Sequence, residues 1–283
     1  MQLRAPSKTF FLGEYAVLKH GQAIVMATTP YFTLHFDDSE KPCPLEGPIQ
    51  QLSSDLKLTG WNWYDPHQQQ GGLGASSAVF AMILYYQQLI QKQPIDSEKI
   101  WSIYQQYHQS QTTSPSGADI LCQLHGGLTV MNTPKATAQP WPFKQLSWSV
   151  YRTGLSSNTH DVLKPLPESS AKHMNAIVND GIDALNQQNN QLFINSIINY
   201  HQAMIKENCY HPSLAPIFNI LSEHEDILAF KGCGALGMDT FLVLYATEST
   251  PLVHAHLDKL FTRIAHTPDI AHGVHQSQGL HHV

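Results

Sequence analysis

The sequence predicts an α+β protein. Three observations carry that prediction. Strand-like and helix-like apolar patterns are mixed along the chain, with no internal repeat. The apolar fraction is 42%, enough for a sizeable core and too high for a disordered chain. The length of 283 residues suits one large or two moderate domains.

The chain opens on strands and turns. Residues 31–36 partly alternate apolar and polar, the pattern of a half-buried strand. Residues 41–48, rich in proline, predict a loop. Trp61, Trp63 and Tyr64 precede a glutamine run, Gln68 to Gln70, that leads into Gly71, Gly72 and Gly74. Val79, Ile83, Tyr86 and Ile90 then recur at helical spacing, so a helix starts near Ala75. Ser97 is the expected cap of a second helix, with Ile100, Trp101, Tyr104, Tyr107 and His108 on one face. Residues 114–119 read as a turn. An apolar segment and then Gly126 and Gly127 precede a short strand, Leu128 to Met131. Trp141, Pro142 and Phe143 are the expected connection between a first domain, 1–145, and a second, 146–283.

The second half opens on a strand, Trp148 to Tyr151. Three amphipathic helices follow. They are marked by Met174, Ile177, Ile182 and Leu185, by Phe193, Ile197 and Met204, and by Leu214, Ile217, Phe218 and Leu221 after Pro212. Strands are expected at 226–230 and 240–245, joined by a glycine-rich turn. A last helix, capped by Thr250 with Pro251 in its first turn, carries Val253, Leu257, Leu260 and Ile264. Residues 277–280 either add a closing strand or trail in solvent.

Composition narrows the function. The formal charge is −6, with only 16 Lys and Arg and no basic run, which argues against a nucleic-acid partner. No apolar run approaches the roughly 18 residues of a spanning helix, and the first residues form no apolar signal region. Cys43, Cys122, Cys209 and Cys233 are scattered, neither a disulfide framework nor a CxxC metal pattern. A cytoplasmic protein that contacts no membrane is expected. Of 17 histidines, His266, His272, His275, His281 and His282 cluster near the end, at spacings that match no tight metal site.

Four stretches hold residues suited to chemistry. Residues 5–18 place Lys8 and Glu14 inside an otherwise apolar segment. A buried charge is costly unless paired, so these groups reach a cleft or pair with each other, unless they form a surface salt bridge. Gly71 to Ala78 puts glycines before a helix start, where free N–H groups and the positive dipole end suit an anion. Ser76 and Ser77 add hydroxyls there. No Gly-Lys-Ser/Thr follows, so this is not a Walker A loop, and a tight loop capping a buried helix is the simpler alternative. In residues 115–119, Asp119 is either a helix cap or a carboxylate that orients a substrate hydroxyl. The turn at 232–237 is either a plain hairpin or a second source of backbone N–H groups for an anion.

In this order the four stretches resemble the motifs of the GHMP family of small-molecule kinases (galactose, homoserine, mevalonate and phosphomevalonate kinases). Pro6 to Tyr15 is similar to the first motif, with Ser7 where glycine is usual. Gly72 to Ser77 is similar to the second, Gly-Leu-Gly-Ser-Ser-Ala. Gly234 to Asp239 is similar to the third, with Leu236 and Met238 replacing glycines. The matches run from residue 5 to about 240, nearly the whole chain. The resemblance implies a two-lobed fold, with an N-terminal lobe like ribosomal protein S5, a ferredoxin-like C-terminal lobe and a cleft between them. It implies ATP and Mg²⁺ as cofactors and a small-molecule substrate, in a monomer or homodimer. Gly72, Gly74, Ala75, Ser76 and Ser77 would hold the phosphates, with Ser76 on the metal. Asp119 aligns with the catalytic aspartate of mevalonate kinases, and Lys8 with the lysine near the reacting centre. Glu14, Tyr15, Arg152, Gly234 and Gly237 would face the substrate.

One departure concerns the metal. Mevalonate kinases usually carry a metal-binding glutamate eleven residues before the catalytic aspartate, and here that position is His108. Neutral histidine is a poor ligand for Mg²⁺, which prefers oxygen. The ending Gly13-Glu14-Tyr15, the turn ending in Asp239, and Arg152 to Thr159 lean toward phosphomevalonate as acceptor. Residues 115–119 lean toward mevalonate. A phosphorylated acceptor needs a cation, which Arg152 or Lys19 could supply. The remaining alternatives are another alcohol, such as homoserine or a sugar, and a nucleotide-binding protein without catalysis.

Overall fold

A computed structural model describes residues 1–36, 45–109, 115–155 and 166–277. Two antiparallel sheets, with helices packed on them, make an α/β architecture. The first sheet runs β10-β1-β2-β4-β5, with β3 also paired to β2. Its strands are β1 (Gln2–Leu12), β2 (Ala23–Phe36), β3 (Trp61–Tyr64), β4 (Leu128–Asn132), β5 (Lys135–Gln139) and β10 (His275–Gln276). The second runs β7-β8-β6-β9, from β6 (Leu146–Arg152), β7 (Ile227–Cys233), β8 (Thr240–Ala246) and β9 (Arg263–His266).

Strand periodicity sorts side chains into cores. In β8, Leu242 and Leu244 face one core while Phe241, Val243 and Tyr245 face another. That strand is buried on both faces, and accordingly its sequence is a continuous apolar run. On one side lie α5 (Glu168–Gln187) and α6 (Asn190–Lys206), and on the other α7 (Ala215–Ser222) and α8 (Thr250–Leu257). The core of α5 and α6 also receives Phe11 and Leu12 of β1 and Ile24 and Met26 of β2. The two sheets therefore share it. Phe11 sits edge-on to Trp141 and Trp148, with centroids 5.7 and 5.5 Å away. The segment around Trp141 joins β5 of the first sheet to β6 of the second, where a connection between domains is expected.

The first sheet is covered by α2 (Ala75–Ile90) and α4 (Ala118–His125), flanked by α1 (Pro48–Asp55) and α3 (Ser97–Tyr107). From Ser77 to Leu84 every residue of α2 is buried, as befits a helix that is apolar on nearly all sides.

Several sequence expectations need correction. Asp96, not Ser97, caps α3: its carboxylate accepts the Lys99 N–H at 2.9 Å. Thr250 lies inside α8, where its hydroxyl donates to the Thr247 carbonyl at 2.7 Å, and Ser249 takes the cap position. That helix ends at Leu257, and Ile264 belongs to β9, which pairs with β6. The expected loop at 41–48 ends in α1, which begins at Pro48 and follows Gly47; 41–44 lie outside the described residues. The closing strand is β10, just before 277–280, of which only Ser277 is described.

Candidate active site

The glycine loop leads directly into α2. Gly74 takes the cap position with φ +87°, a left-handed conformation that favours glycine. Having no side chain, it leaves the first N–H groups of the helix uncapped. Ser77 turns inward and donates to the Gly74 carbonyl at 3.0 Å. Ser76, in the first turn of α2, is exposed.

Lys8 on β1 runs beside this loop. Its backbone N–H donates to the Leu73 carbonyl at 3.1 Å, which fixes the loop to the strand. Its side chain is only 6% exposed, and a Cβ on Gly74 would come 3.0 Å from Lys8 Cγ. The ammonium meets Asp119 Oδ2 at 3.3 Å. Asp119 lies in the first turn of α4, after Gly117, and is half-buried. It does not cap the helix; the Ala118 N–H is taken by Ser116 Oγ at 3.2 Å. Gln123, one turn further on, donates to the Gly74 carbonyl at 2.8 Å and to the Pro6 carbonyl at 3.0 Å. Loop, β1 and α4 are thus stitched into one rigid frame around the Lys8–Asp119 pair. Sequence reasoning missed Gln123, because a glutamine inside a helix bears no local sign of its partners.

Asp239 lies against the glycine loop, and both Lys8 and Arg152 act on its charge. Arg152 ends β6, and Asp239 precedes β8. The Arg152 Nη2 is buried without a hydrogen-bond partner. Burial lowers the pKa of this guanidinium, while Asp239 and Asp65 act the other way. Burial raises the Asp239 carboxyl above its ordinary range, against the pull of Lys8, a backbone N–H from Ala235, and Arg152. His67 also lies near Arg152. Burial and then the arginine charge push its pKa down to about 4, so it is neutral at pH 7. The Ser7 hydroxyl spends its proton on the Pro30 carbonyl at 2.7 Å. His67 Nε2 therefore donates to Ser7 Oγ, also at 2.7 Å. Ser7, which stands in place of the usual glycine, anchors this histidine.

Glu14 and Tyr15 lie elsewhere. Glu14 is ion-paired with Lys231 of β7, not with Lys8. Lys231 is 0% exposed and also donates to the Phe10 carbonyl at 3.3 Å. Tyr15 donates to the Cys209 carbonyl at 3.2 Å and accepts the Leu236 N–H at 3.3 Å. These bonds tie the segment after β1 to β7 and to the turn before β8. Lys231 was missed, although a lone lysine inside the apolar run of β7 carries the same sign that singled out Lys8. Gly234 and Gly237 are also filled from within the protein. A Cβ on Gly237 would meet Tyr210, and one on Gly234 would overlap Asp239. Lys19 is exposed at the end of a 3-10 turn. Ser157 to Thr159, and His281 and His282, lie outside the described residues.

The frame suits a metal–nucleotide complex chemically. The uncapped α2 start offers N–H groups to an anion, and the Ser76 hydroxyl and Asp119 carboxylate are oxygen donors of the kind Mg²⁺ prefers. No cluster of three metal-ligating side chains is found among the described residues. His108 takes no part: it is buried, packs against Phe80 and Tyr104, and its Nδ1 bonds the Tyr104 carbonyl at 2.8 Å.

The sequence matches no protein-family model and no curated protein. Solved structures do match the fold. Streptococcus pneumoniae phosphomevalonate kinase, in complex with phosphomevalonate and AMPPNP, superposes with TM-score 0.74 at 14% identity, over 94% of this chain and 99% of that one. Methanococcus jannaschii mevalonate kinase gives 0.68 at 16% identity, over 96% and 98%. Lactococcus lactis galactokinase, complexed with galactose, gives 0.74 at 10% identity, over 97% and 94%. The chain has the fold of the GHMP kinases.

Proposed function

We propose that this protein is an ATP-dependent kinase that phosphorylates a small anionic acceptor, with phosphomevalonate or mevalonate as the favoured substrate. One observation carries the reading. Lys8, the glycine loop and Asp119 come from three separate elements, yet they are locked side by side, with Lys8 Nζ 3.3 Å from Asp119. Phosphoryl transfer requires little beyond such positioning and charge stabilisation.

In this reading the N–H groups at the start of α2 bind the phosphates of ATP. Ser76 and Asp119 hold Mg²⁺, which when bound offsets phosphate charge. Asp119 orients the acceptor and takes its proton when the acceptor is a hydroxyl. The acceptor oxygen bonds to the γ-phosphorus as the bond to the β-bridging oxygen breaks, and ADP leaves. Lys8 balances charge on the moving phosphoryl group. Arg152, with a buried N–H unspent, binds the acceptor's own anion, as a guanidinium does well. This favours mevalonate or phosphomevalonate over an uncharged sugar.

The reading is tested by ATP consumption with mevalonate, phosphomevalonate, homoserine and galactose in parallel. Stimulation is expected with an anionic acceptor, lost in Asp119→Ala and weakened through KM in Arg152→Ala. Stimulation by galactose alone would refute the role of Arg152. No stimulation by any acceptor would refute the favoured substrates.

A further inference from the structure

Asp239 ends the glycine turn of the second lobe, yet its side chain lies against the glycine loop of the first. A Cβ built on Gly72 would overlap Asp239 Cβ, and one on Gly234 would overlap its Oδ2. Gly71 is also close, with Asp239 Oδ1 3.4 Å from its would-be Cβ. Both Gly72 and Gly234 have positive φ, +86° and +89°. The room that these glycines leave is filled by one carboxylate. That carboxylate is fixed from its own side: Ala235 N–H bonds it, and the Thr153 N–H donates to the Asp239 carbonyl at 3.3 Å. Thr153 Oγ1 also donates to the Met238 carbonyl, so the turn is tied to the end of β6 next to Arg152. Lys8, which pairs with Asp119, and Arg152 are the cations that act on Asp239.

We infer that Asp239 is a positioning residue that docks the glycine loop on the second lobe, and that Gly72 and Gly234 are glycines in order to admit it. The inference rests on the kinase reading, because the loop it positions is the proposed phosphate cradle. Bonds from the Lys8 N–H and from Gln123 hold the loop on β1 and α4, and Asp239 meets it from the turn before β8. A side chain inserted between Gly72 and Gly234 links the position of the loop to that of Arg152. Nucleotide and acceptor ends of the cleft then share one fixed point. The carboxylate is half-buried and its pKa is raised, so its charge works against the fold at neutral pH.

The experiment compares wild type, Asp239→Asn, Asp239→Ala, Asp239→Gly, Gly72→Ala and the Gly72→Ala/Asp239→Gly double variant by calorimetry with ATP–Mg²⁺ and by thermal unfolding. Asp239→Asn keeps the shape and the acceptor atom, and is expected to bind ATP like wild type with an equal or higher melting temperature. Asp239→Ala, equally folded, is expected to lose about tenfold in ATP affinity, as a displaced site does. Gly72→Ala is expected to lose affinity strongly alone and about tenfold less in the Asp239→Gly background, which removes the Cβ it would overlap, since neighbours that share one space are coupled. Unchanged affinity in Asp239→Ala, or an equal cost of Gly72→Ala in the wild-type and Asp239→Gly backgrounds, overturns the docking role while leaving the kinase reading intact. If wild type binds no ATP, the kinase reading fails and this inference fails with it.

Discussion

Lys8 is the residue on which the account turns. It is a charge in an apolar strand, and the sequence marks it for that reason alone: unpaired burial costs several kcal/mol. The same reasoning expected Glu14 as an alternative partner, and in the fold each finds a different one, Asp119 and Lys231. Local sequence shows that a charge must be paired. It does not show with what, because Glu14 and Lys231 stand 217 residues apart. Asp119 and the glycine loop were legible because their chemistry depends on residue type within a few positions. Asp239 was visible as the end of a turn, but its contact with Gly72 depends on how two sheets meet. At this scale, Asp119→Asn is expected to lower kcat by a factor of about 10²–10⁴, the usual weight of a positioned base. Its ATP affinity should stay within a few fold. A matching loss in ATP affinity, seen by calorimetry, would leave Asp119 its share in holding the metal–nucleotide and remove its role in the transfer.

The elements that join the two sheets are β1 and β7, and the Glu14–Lys231 pair is their weld. Burial alone would lower the pKa of Lys231, but Cys233 and Glu14 act more strongly together and leave it raised. A raised lysine contributes stability that is whole below its unfolded pKa and lost only at strongly alkaline pH, so the weld holds throughout the neutral range. Removing one partner leaves a buried charge alone. Glu14→Gln or Lys231→Met is expected to cost about 3–5 kcal/mol in chemical denaturation, whereas Glu14→Leu/Lys231→Met should recover much of that loss. A double variant as unstable as the sum of the singles would show that the two side chains are not coupled, and would contradict their role as a pair. Helix ends were the least legible elements. Asp96 and Ser97 are both good caps, and only the bond from the Lys99 N–H decides between them. Val253, Leu257, Leu260 and Ile264 keep helical spacing past the end of α8, but pairing with β6 takes Ile264 into a strand.

At the scale of the whole molecule, the α+β class and the location of the glycine loop and Asp119 could be read from the sequence. The shared core of Phe11, Trp148, Met174 and Phe193 could not, since it is assembled from both sheets and two helices. Burial in these cores keeps several histidines neutral. His201 is pushed down to about 4 by burial and then by Lys231, and His67 to about 4 by burial and then by Arg152. A histidine lowered from about 6.5 when unfolded holds its full stability above that pH and loses it as pH falls toward 4. Unfolding free energy measured in denaturant should therefore drop between pH 6.5 and 4, and His201→Gln should make that drop shallower. An unchanged slope would mean that His201 is not neutral in the folded protein. The central claim is that the Lys8–Asp119 frame moves a phosphoryl group from ATP to a small anionic acceptor. Phosphorus NMR of ATP, Mg²⁺ and phosphomevalonate or mevalonate tests it most directly. Wild type should convert the ATP γ-signal into a product phosphate signal together with ADP, and Asp119→Ala should not. Formation of that product by Asp119→Ala at the wild-type rate, or no product from wild type with either acceptor, would contradict the account.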